Sequence, residues 1–474
     1  MNKELFWKNF AALSAVPRPS HHTGAVAAFL LDFAKKRGFR AELLDGGSVL
    51  VQVPASPGME DREPLILQGH IDMVPQVAPG KSHDFSKDPI ETYISDGWMY
   101  ARDTTLGADN GIAIAAMMTV MDDASVRHPA LECLMTADEE VGMLGAFALK
   151  PGQLRGRTLL NLDTEDENEL IVGCCGAMRA TCKFRYVPEA VPDGDEAYCL
   201  TVKGLLGGHS GMDIHLPRAN AIKLGAHLLK TLVRDYDARL ASIDGGDVIN
   251  TVPRELRIFF TVPEGGEDDL FELMSDYQEI FENEYPDETD LYLQLEHCDL
   301  PASLLPEFVQ DDLINALVAV PNGAYRFMPQ MPQTVETSSN MGCISTADNC
   351  VSVEFLFRSM LYSMKGELRS MIESVFSLAG AEVRFWGDYE GWEPNWDSPV
   401  LAKARESYRA VMGRDARVCL VHAGLECGII AGTYPDMDMI SFGPNIQHPH
   451  TPQERVEVAS VERILDLLED LLLR

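Results

Sequence analysis

Segments with helix-like and strand-like patterns alternate along the first third of the chain, and this alternation restricts its fold more than any other feature. The apolar spacing predicts helices at 3–14, 24–37 and about 110–122, and strands at 40–53, 64–70, 131–136 and 158–163. Such alternation is typical of a mostly parallel sheet covered by helices. The sequence therefore predicts an α/β fold.

The pattern changes after residue 176. A polar strand at 177–186 leads into "VPEAVPDGDEA", a loop rich in Pro, Gly and Asp, and a second series of strands and helices continues to residue 389. The last segments, from "ARVCLVHAGLECGIIAG" to a helix beginning near 458, return to the first pattern. Because 474 residues exceed one ordinary core, we predict a discontinuous domain, 1–176 and 390–474, with a second domain inserted at 177–389.

Charge and cysteine content narrow the class of protein. The formal net charge of -34 argues against nucleic acid and anionic membranes as partners and suits a protein that collects cations. The ten cysteines include no CxxC spacing, so we expect neither a disulfide framework nor a thiolate zinc site, and a reducing, cytoplasmic setting. The first residues lack the apolar core of a signal peptide, and no segment has the roughly 20 apolar residues that cross a bilayer.

The stretch "LILQGHIDMVP" ends a buried strand with a histidine and an acid. His70 and Asp72 are two residues apart, so on an extended segment they share a face. A metal-bound histidine needs its second ring nitrogen anchored, often by a carboxylate. A polar strand end at the surface is the simpler alternative.

Four further stretches carry acids or histidines at comparable points. They are "TTLGADNGIAIAAMM" with Asp109 and Asn110, "LECLMTADEEVGMLGA" with Asp138, Glu139 and Glu140, "TLLNLDTEDENELIVG" with Asp163, and "NIQHPHTPQERV" with His448 and His450. Each alone is explained as a helix N-cap or a solvated loop. Together, at the carboxyl ends of strands, they indicate a ligand site. Imidazole and carboxylate without thiolate suit zinc, manganese or cobalt in a hydrolytic site.

The combination of GHxD, GADNG, DEEVG, LDTE and an HTPxE-type ending resembles a di-zinc metallopeptidase family that includes the aminoacylhistidine dipeptidases (Xaa-His dipeptidases, carnosine-cleaving). The likeness covers nearly the whole chain, and "LGADNGIAIA", "GLLGGHSG" and "HAGLECG" look like the bacterial cytosolic branch. The resemblance implies a catalytic domain with a mostly parallel central sheet and an inserted α+β lid or dimerisation domain. It also implies two divalent metal ions, zinc or alternatively manganese or cobalt.

The resemblance also assigns metal ligands, motif by motif. His70 and Asp163 would hold one ion, Glu140 and His450 the other, and Asp109 would bridge both. Members of the family that act on peptides with a free amine tend to have Asp at the position of Asp163, whereas deacylases tend to have Glu. This favours a peptidase that recognises a substrate amino terminus.

Two neighbouring acids receive catalytic roles from the same resemblance. Asp72 would orient His70, and Glu139 would be the general base that deprotonates the water between the ions and then protonates the leaving amine. The choice of His450 over His448 as ligand depends on the residues that follow it in the matched HTPxE motif, Thr451, Pro452 and Glu454.

The inserted domain contributes further candidates. In "GLLGGHSGMDIH", His209 would stabilise the oxyanion of the tetrahedral intermediate. Asn250 and Arg358 would bind substrate, with Arg358 pairing with the substrate carboxylate, and Gly424 would let substrate approach the backbone closely. A turn histidine and a surface arginine are the plain alternatives for His209 and Arg358.

Several other polar or soft residues are expected to be structural. They are His21 and His22 in a loop that caps the second helix, Met117 and Met118 in the core, and Cys174 and Cys175 as buried thiols. His422 and Glu426 fit either a supporting role beside the site or ordinary packing.

The resemblance implies metal-dependent hydrolysis of unprotected dipeptides, preferentially Xaa-His such as β-alanyl-histidine. A tripeptidase or other aminopeptidase of the same superfamily, and a non-catalytic binding homologue, are the alternatives. Every expected ligand and Glu139 are present, which argues against the binding homologue. The expected partners are a small peptide substrate and a second copy bound through the lid domain, with neither nucleic acid nor membrane.

Overall fold

The chain divides into two units in the computed structural model, which describes all 474 residues. Unit 1 comprises Met1–Cys174, Trp392–Val421 and Leu425–Arg474, and unit 2 comprises Cys175–Gly391 and His422–Gly424. Helices α1–α11 and strands β1–β23 are numbered along the whole chain. None of the helices combines the length and the apolar character needed to cross a bilayer. The roles predicted for the two parts of the chain stay predictions.

Unit 1 combines seven helices with twelve strands. The helices are α1 Lys3–Ser14, α2 Gly24–Lys36, α3 Ala108–Asp122, α4 Leu144–Phe147, α9 Pro399–Met412, α10 Glu426–Thr433 and α11 Val458–Leu473. The strands are β1 Arg40–Leu43, β2 Val49–Val53, β3 Leu65–His70, β4 Thr92–Ser95, β5 Trp98–Ala101, β6 Leu131–Thr136, β7 Thr158–Asn161, β8 Glu169–Cys174, β20 Arg417–Val421, β21 Asp438–Ser441, β22 Ile446–Gln447 and β23 Arg455–Glu457.

The main sheet of unit 1 has eight strands in the order β1-β2-β6-β3-β7-β21-β8-β20. The central strands β6, β3, β7 and β21 are parallel to one another, whereas β1 and β2 are antiparallel additions at one side. Helix α3 packs on β3, and its Met117 and Met118 are fully buried, as predicted for core residues. The predicted α/β fold with a mostly parallel central sheet is confirmed.

Parallel pairing brings several chemically important loops to one edge of this sheet. His70 at the end of β3 pairs with Thr136 at the end of β6, and Gln68 pairs with Asn161 at the end of β7. The chain segments that follow β3, β6 and β7 therefore begin side by side, because parallel strands place their carboxyl ends at the same edge.

Unit 2 combines four helices with eleven strands. The helices are α5 Ala221–Tyr236, α6 Glu267–Glu284, α7 Glu307–Ala319 and α8 Tyr362–Leu378. The strands are β9 Gly176–Arg185, β10 Asp195–Lys203, β11 Gly208–His209, β12 Arg239–Gly245, β13 Thr251–Val252, β14 Leu256–Pro263, β15 Tyr292–Cys298, β16 Gly323–Met328, β17 Met331–Ala347, β18 Cys350–Ser359 and β19 Glu382–Tyr389. The strands of its main sheet run in the order β15-β10-β14-β12-β17-β18-β9-β19, with β16 paired to β17, and the four helices pack on this sheet around an apolar core.

The structure corrects three local expectations. Residues 40–53 form two antiparallel strands, β1 and β2, because Gly46 and Gly47 turn the chain at positive φ. The polar stretch 331–347, for which no strand was predicted, forms β17 because it has hydrogen-bonded strands on both sides. The loop before α2 does not cap it, since Thr23 at the N-cap makes no side-chain hydrogen bond.

Candidate active site

The five predicted metal ligands lie together beyond the carboxyl edge of the unit 1 sheet. Nε2 of His70 is 3.0 Å from Oδ1 of Asp109 and 3.5 Å from Oδ1 of Asp163. Nε2 of His450 is 3.2 Å from Oδ2 of Asp109 and 3.0 Å from Oε2 of Glu140. The side chains thus form two groups, and Asp109 belongs to both.

Asp109 presents a different carboxylate oxygen to each histidine. Donor atoms of His70, Asp109 and Glu140 all lie within 4.8 Å of one another, close enough to share a metal ion. The second oxygen of Glu140, Oε1, is buried and has no hydrogen-bond partner. This orphaned acceptor and the set of two imidazoles and three carboxylates fit one or two divalent cations such as zinc.

The electrostatics of the cluster reflect crowded carboxylates in a buried place. Burial raises the pKa of Asp163 to about 6, and the negative charges of Asp109 and Glu140 add to this rise. Hydrogen bonds that the His450 ring donates to the carboxylates of Asp109 and Glu140 raise the pKa of His450 to about 11. Acids so close together disfavour one another's ionised form, so a bound cation would relieve their repulsion.

The start of α3 places Asp109 in the site instead of at a helix cap. Gly107 occupies the N-cap position, Asp109 and Asn110 have non-helical backbone angles, and the peptide bond between them is cis. Oδ1 of Asn110 accepts a hydrogen bond from the backbone N–H of His70 at 3.2 Å, and its Nδ2 donates to the carbonyl of Leu162 at 2.8 Å. The N-cap alternative for Asp109 is therefore wrong, and Asn110 joins the loops that carry His70 and Asp163.

Asp72 is a fully buried acceptor that connects two of the ligand loops. Its carboxylate accepts hydrogen bonds from the backbone N–H of Glu139 at 3.0 Å, the backbone N–H of Glu140 at 3.3 Å and Oγ of Ser20 at 2.9 Å. Its Oδ1 also lies 3.4 Å from Nδ1 of His70. The predicted orienting acid thus holds the backbone of Glu139 and Glu140 and lies beside the ring of His70.

Glu139 lies beside the ligand cluster and makes no ion pair there. Burial raises the pKa of Glu139 well above its ordinary value, and the nearby acids Asp163, Glu426 and Glu140 contribute, against the opposing effect of His70. A carboxylate whose pKa is raised is a stronger base than an ordinary glutamate, and general-base catalysis benefits from this.

A buried polar network that the sequence did not reveal supports the strand ends. Oε2 of Glu426 accepts hydrogen bonds at 2.5 Å from Nε2 of Gln68 on β3 and from Oγ1 of Thr136 on β6. Asn161 on β7 donates from Nδ2 to Oε1 of Gln68, also at 2.5 Å. Glu426 therefore supports the site and is more than packing, although only the Gln at position 68 inside an apolar strand could have signalled the network.

His209 lies in a glycine-flanked loop of unit 2 with its ring held by backbone groups. Nδ1 accepts hydrogen bonds from the backbone N–H of Gly211 at 3.2 Å and of Met212 at 3.0 Å. Because Nδ1 is the acceptor, the proton of the neutral ring is on Nε2. Burial and the charge of Arg358 lower the pKa of His209, which favours that neutral form. The ring therefore offers a neutral N–H donor.

The other predicted substrate groups of unit 2 surround the same loop. The backbone N–H of Ser210 donates to the carbonyl of Asn250 at 2.9 Å, and strands β11 and β13 pair His209 with Thr251. Arg358 is buried with no acid within ion-pair distance, and its Nε makes no hydrogen bond. A buried guanidinium without an acid is a ready binding site for a carboxylate.

Gly424 ends the short segment of unit 2 that begins with His422. His422 is buried, with Nδ1 2.9 Å from Sγ of Cys175 and Nε2 2.7 Å from Oγ of Ser338 on β17. A methyl group on Gly211 would lie 3.1 Å from Cε1 of His209 and 3.2 Å from Nε of Arg358, and it would also meet the carbonyl of His422. His209, Arg358 and the segment that carries Gly424 thus converge on Gly211.

Comparison with known proteins adds independent information. The model of a family described as "Peptidase family M20/M25/M40" matches residues 66–474. The chain is 41% identical over 473 residues to a protein named cytosol non-specific dipeptidase from Escherichia coli (strain K12), covering 100% of this chain and 98% of that protein. The crystal structure of aminoacylhistidine dipeptidase from Vibrio alginolyticus is similar with a TM-score of 0.92 and 40% identity, covering 98% of this chain and 96% of that one. Aminopeptidase PepT from Bacillus cereus shares the fold, with a TM-score of 0.57 and 15% identity, covering 100% of this chain and 98% of that one.

Proposed function

The chain belongs to peptidase family M20/M25/M40 and is a metallopeptidase, and from this premise we propose that it hydrolyses unprotected dipeptides, preferentially Xaa-His such as β-alanyl-histidine. The observation that carries the proposal is the carboxylate of Asp109 between two histidines, with Glu139 next to ligand Glu140. The preference for a histidine residue is supported by the name of the relative from Vibrio alginolyticus, whereas the relative from Escherichia coli is named for broad specificity.

Family membership implies divalent metal ions, and we propose two of them, zinc or alternatively manganese or cobalt. His70 and Asp163 would hold one, Glu140 and His450 the other, and Asp109 both, in agreement with the two groups of contacts. When bound, such ions supply Lewis acidity and make water a nucleophile at neutral pH.

Glu139 is proposed to move the proton. Its carboxylate accepts a proton from the attacking water and returns it to the leaving amine, and its raised pKa suits both steps. The hydrogen bond from its backbone N–H to Asp72 holds this acid at a fixed place beside Glu140. Asp72 orients His70 through Nδ1 and so leaves Nε2 free as the ligand atom.

Unit 2 is proposed to supply the groups that recognise the substrate. Nε2–H of His209 donates to the oxyanion, and the unpaired guanidinium of Arg358 binds the carboxylate of a dipeptide. Asn250 and Gly424 complete this set, because the turn of Asn250 and the segment of Gly424 border the same glycine loop.

Cellular location and assembly extend the proposal. We propose a cytoplasmic enzyme, which is supported by the ten free cysteines and by the cytosolic relative. A homodimer through unit 2 also stays a prediction, and sedimentation velocity of the full chain measures it directly. Mixing a His209→Ala chain with a Glu139→Gln chain shows whether His209 serves its own subunit. Activity returns in the mixed dimer only if His209 of the Glu139→Gln chain acts in the site of the His209→Ala chain.

A substrate panel with a matched variant tests the function. The chain is stripped with chelator, reloaded with zinc, manganese or cobalt, and assayed on β-alanyl-histidine, alanyl-histidine, alanyl-alanine and trialanine. We expect Xaa-His to be cleaved fastest, and Glu139→Gln to retain its metal while kcat falls about 10²–10⁴-fold. Faster cleavage of trialanine would favour the tripeptidase alternative, and binding without turnover, insensitive to Glu139→Gln, would favour the non-catalytic homologue.

A further inference from the structure

The loop that carries Asp109 is held by a carboxylate from the far end of the chain. Oε2 of Glu454 accepts hydrogen bonds from the backbone N–H groups of Leu106 at 2.7 Å and Gly107 at 2.8 Å. Oε1 accepts from those of Ala108 at 2.8 Å and Asp109 at 3.2 Å. Four successive N–H groups therefore surround one side chain that is 2% exposed. Such a concave set of N–H groups is a strong anion site, and here its anion is built in.

An arginine from the other end of the chain holds the same loop from its carbonyl side. Arg18 is buried, and its Nη2 donates to the carbonyl of Gly107. Its Nη1 donates to the carbonyls of Ile71 at 3.1 Å and Asp72 at 3.0 Å, next to His70. No acid lies within ion-pair distance of Arg18, so its hydrogen bonds are all to backbone carbonyls.

The two contacts act on both halves of the ligand cluster. Arg18 connects the loop of Asp109 to the segment after His70. Glu454 follows His450 by four residues, so its hydrogen bonds connect the loop of His450 to the loop of Asp109. The planar guanidinium of Arg18 and the carboxylate of Glu454, which accepts four N–H groups, leave the bonded backbone little freedom of orientation. Together they fix the backbone on both sides of the bridging acid.

We propose that Arg18 and Glu454 are positioning residues for the metal centre, which hold the 106–109 loop so that Asp109 presents one carboxylate oxygen to each histidine. The inference rests on the proposed function, because it presumes that this cluster binds metal. It assigns a role to the loop "PRPSHHTG", which no ligand motif includes, and it makes Glu454 more than a marker of the histidine motif.

Unit 1 also contains a matched control for Glu454. Glu132, at the start of β6, is buried, and its Oε2 accepts hydrogen bonds from the backbone N–H groups of Arg155 at 2.8 Å and Gly156 at 2.9 Å. It thus performs the same kind of backbone anchoring at the opposite end of the strand that leads to Glu139. Replacing it removes comparable hydrogen bonds without touching the ligand loops.

The experiment titrates the metal-free full chain with Co²⁺, following the visible spectrum and the competition with a chelator. We expect Glu454→Gln and Arg18→Met to bind Co²⁺ about 10–100-fold more weakly than the wild type and to shift its absorption bands. Glu132→Gln should lower the melting temperature of the metal-free chain but keep the wild-type affinity and spectrum. Arg18→Lys, which keeps the charge but not the fork, should show an intermediate loss.

Unchanged affinity and spectrum in Glu454→Gln and Arg18→Met would overturn the positioning role, as would an equal loss in Glu132→Gln. If Glu454→Gln does not fold, Arg18→Lys decides, because wild-type behaviour there refutes the proposal and a shifted spectrum supports it. A wild type that binds fewer than two ions refutes the proposed metal centre itself. A wild type that binds two, with unaffected variants, refutes only the positioning.

Discussion

Nδ1 of His70 lies 3.4 Å from Oδ1 of Asp72, while Nε2 of the same ring faces Asp109. One ring nitrogen is thus directed to the predicted orienting acid and the other to the predicted ligand cluster. Asp72 also accepts hydrogen bonds from the backbone N–H groups of Glu139 and Glu140, so one buried carboxylate contacts the segments that carry two predicted ligands and the proposed base.

The first prediction concerns this carboxylate. Both oxygens of Asp72 accept hydrogen bonds. In Asp72→Asn, an amide nitrogen replaces one of these oxygens and cannot accept from the N–H donors that face it, so His70 and the loop of Glu139 lose their alignment. We expect kcat/KM for β-alanyl-histidine to fall about 10–100-fold, with weaker zinc binding. The control is Asp438→Asn. Asp438 begins β21 and accepts hydrogen bonds from Ser398 and Val400, and its replacement should leave both quantities unchanged. Equal losses in the two variants would contradict the assignment.

The second prediction tests how closely α3 must approach β3. A methyl group on Gly69 would lie 2.6 Å from Cβ of Ala113 and would also collide with Oδ1 of Asn110. Gly69→Ala should therefore destabilise the protein by about 1–3 kcal/mol and reduce activity more than stability alone explains, because Asp109 moves with Asn110. Gly24→Ala in α2, where nothing lies within 4 Å, is the control. Denaturant unfolding and steady-state assays measure the two effects, and a harmless Gly69→Ala would show that the helix can shift freely.

The third prediction concerns the charge of Arg358. Since no acid neutralises this buried guanidinium, a substrate carboxylate should supply the missing partner. We expect the wild type to cleave alanyl-histidine much faster than its C-terminal amide. In Arg358→Met, kcat/KM for the free acid should fall about 10–100-fold, from the loss of a hydrogen bond to a charged group, while the amide is affected little. Loss of activity on both substrates to the same degree would instead indicate a structural role.

The fourth prediction is a pH dependence of stability set by His422. Burial, with the charge of Arg358, lowers the pKa of His422 to about 3. As pH falls below about 6.5, the imidazole of His422 is protonated in the unfolded chain but not in the folded one. The free energy of unfolding therefore decreases progressively between about pH 6.5 and pH 3. Between pH 7 and pH 5 the loss should be about 2 kcal/mol greater in the wild type than in His422→Gln. Urea unfolding of the wild type and of His422→Gln at the two pH values, followed for unit 2, measures the difference. An equal change in unfolding free energy in the two proteins would refute the prediction.

The sequence predicted which residues of unit 1 lie together because polar residues stand directly after buried strands; their roles stay predictions. Strands buried on both faces, such as β3 and β6, read as apolar runs, and acids or histidines directly after them are conspicuous. Once the strands are parallel, their ends must meet, so His70 and Glu140 could be expected at one edge. The structure brings these residues together with Asp109, Asp163 and His450.

The sequence did not show which buried polar groups form hydrogen bonds with residues far away along the chain. Residues 335–340 of β17 are almost all polar and yet buried, and two of them bond to distant neighbours: Ser338 to His422, and Asn340 to the turn of Asn250. Arg18 likewise reads as a surface cation, and only the folded chain places three carbonyls around it. Periodicity reports which side chains avoid water, but it contains no signal for such pairings.

The pairing of β7 with β21 has a consequence for how the protein is made. These neighbours in the sheet are separated along the chain by all of unit 2. On the ribosome, where domains fold from the amino terminus as they emerge, β7 keeps an unpaired edge until unit 2 and then β21 have been translated. An unfinished chain therefore has no assembled peptide-cleaving apparatus, and its bare strand edge is the place that a chaperone would have to shield.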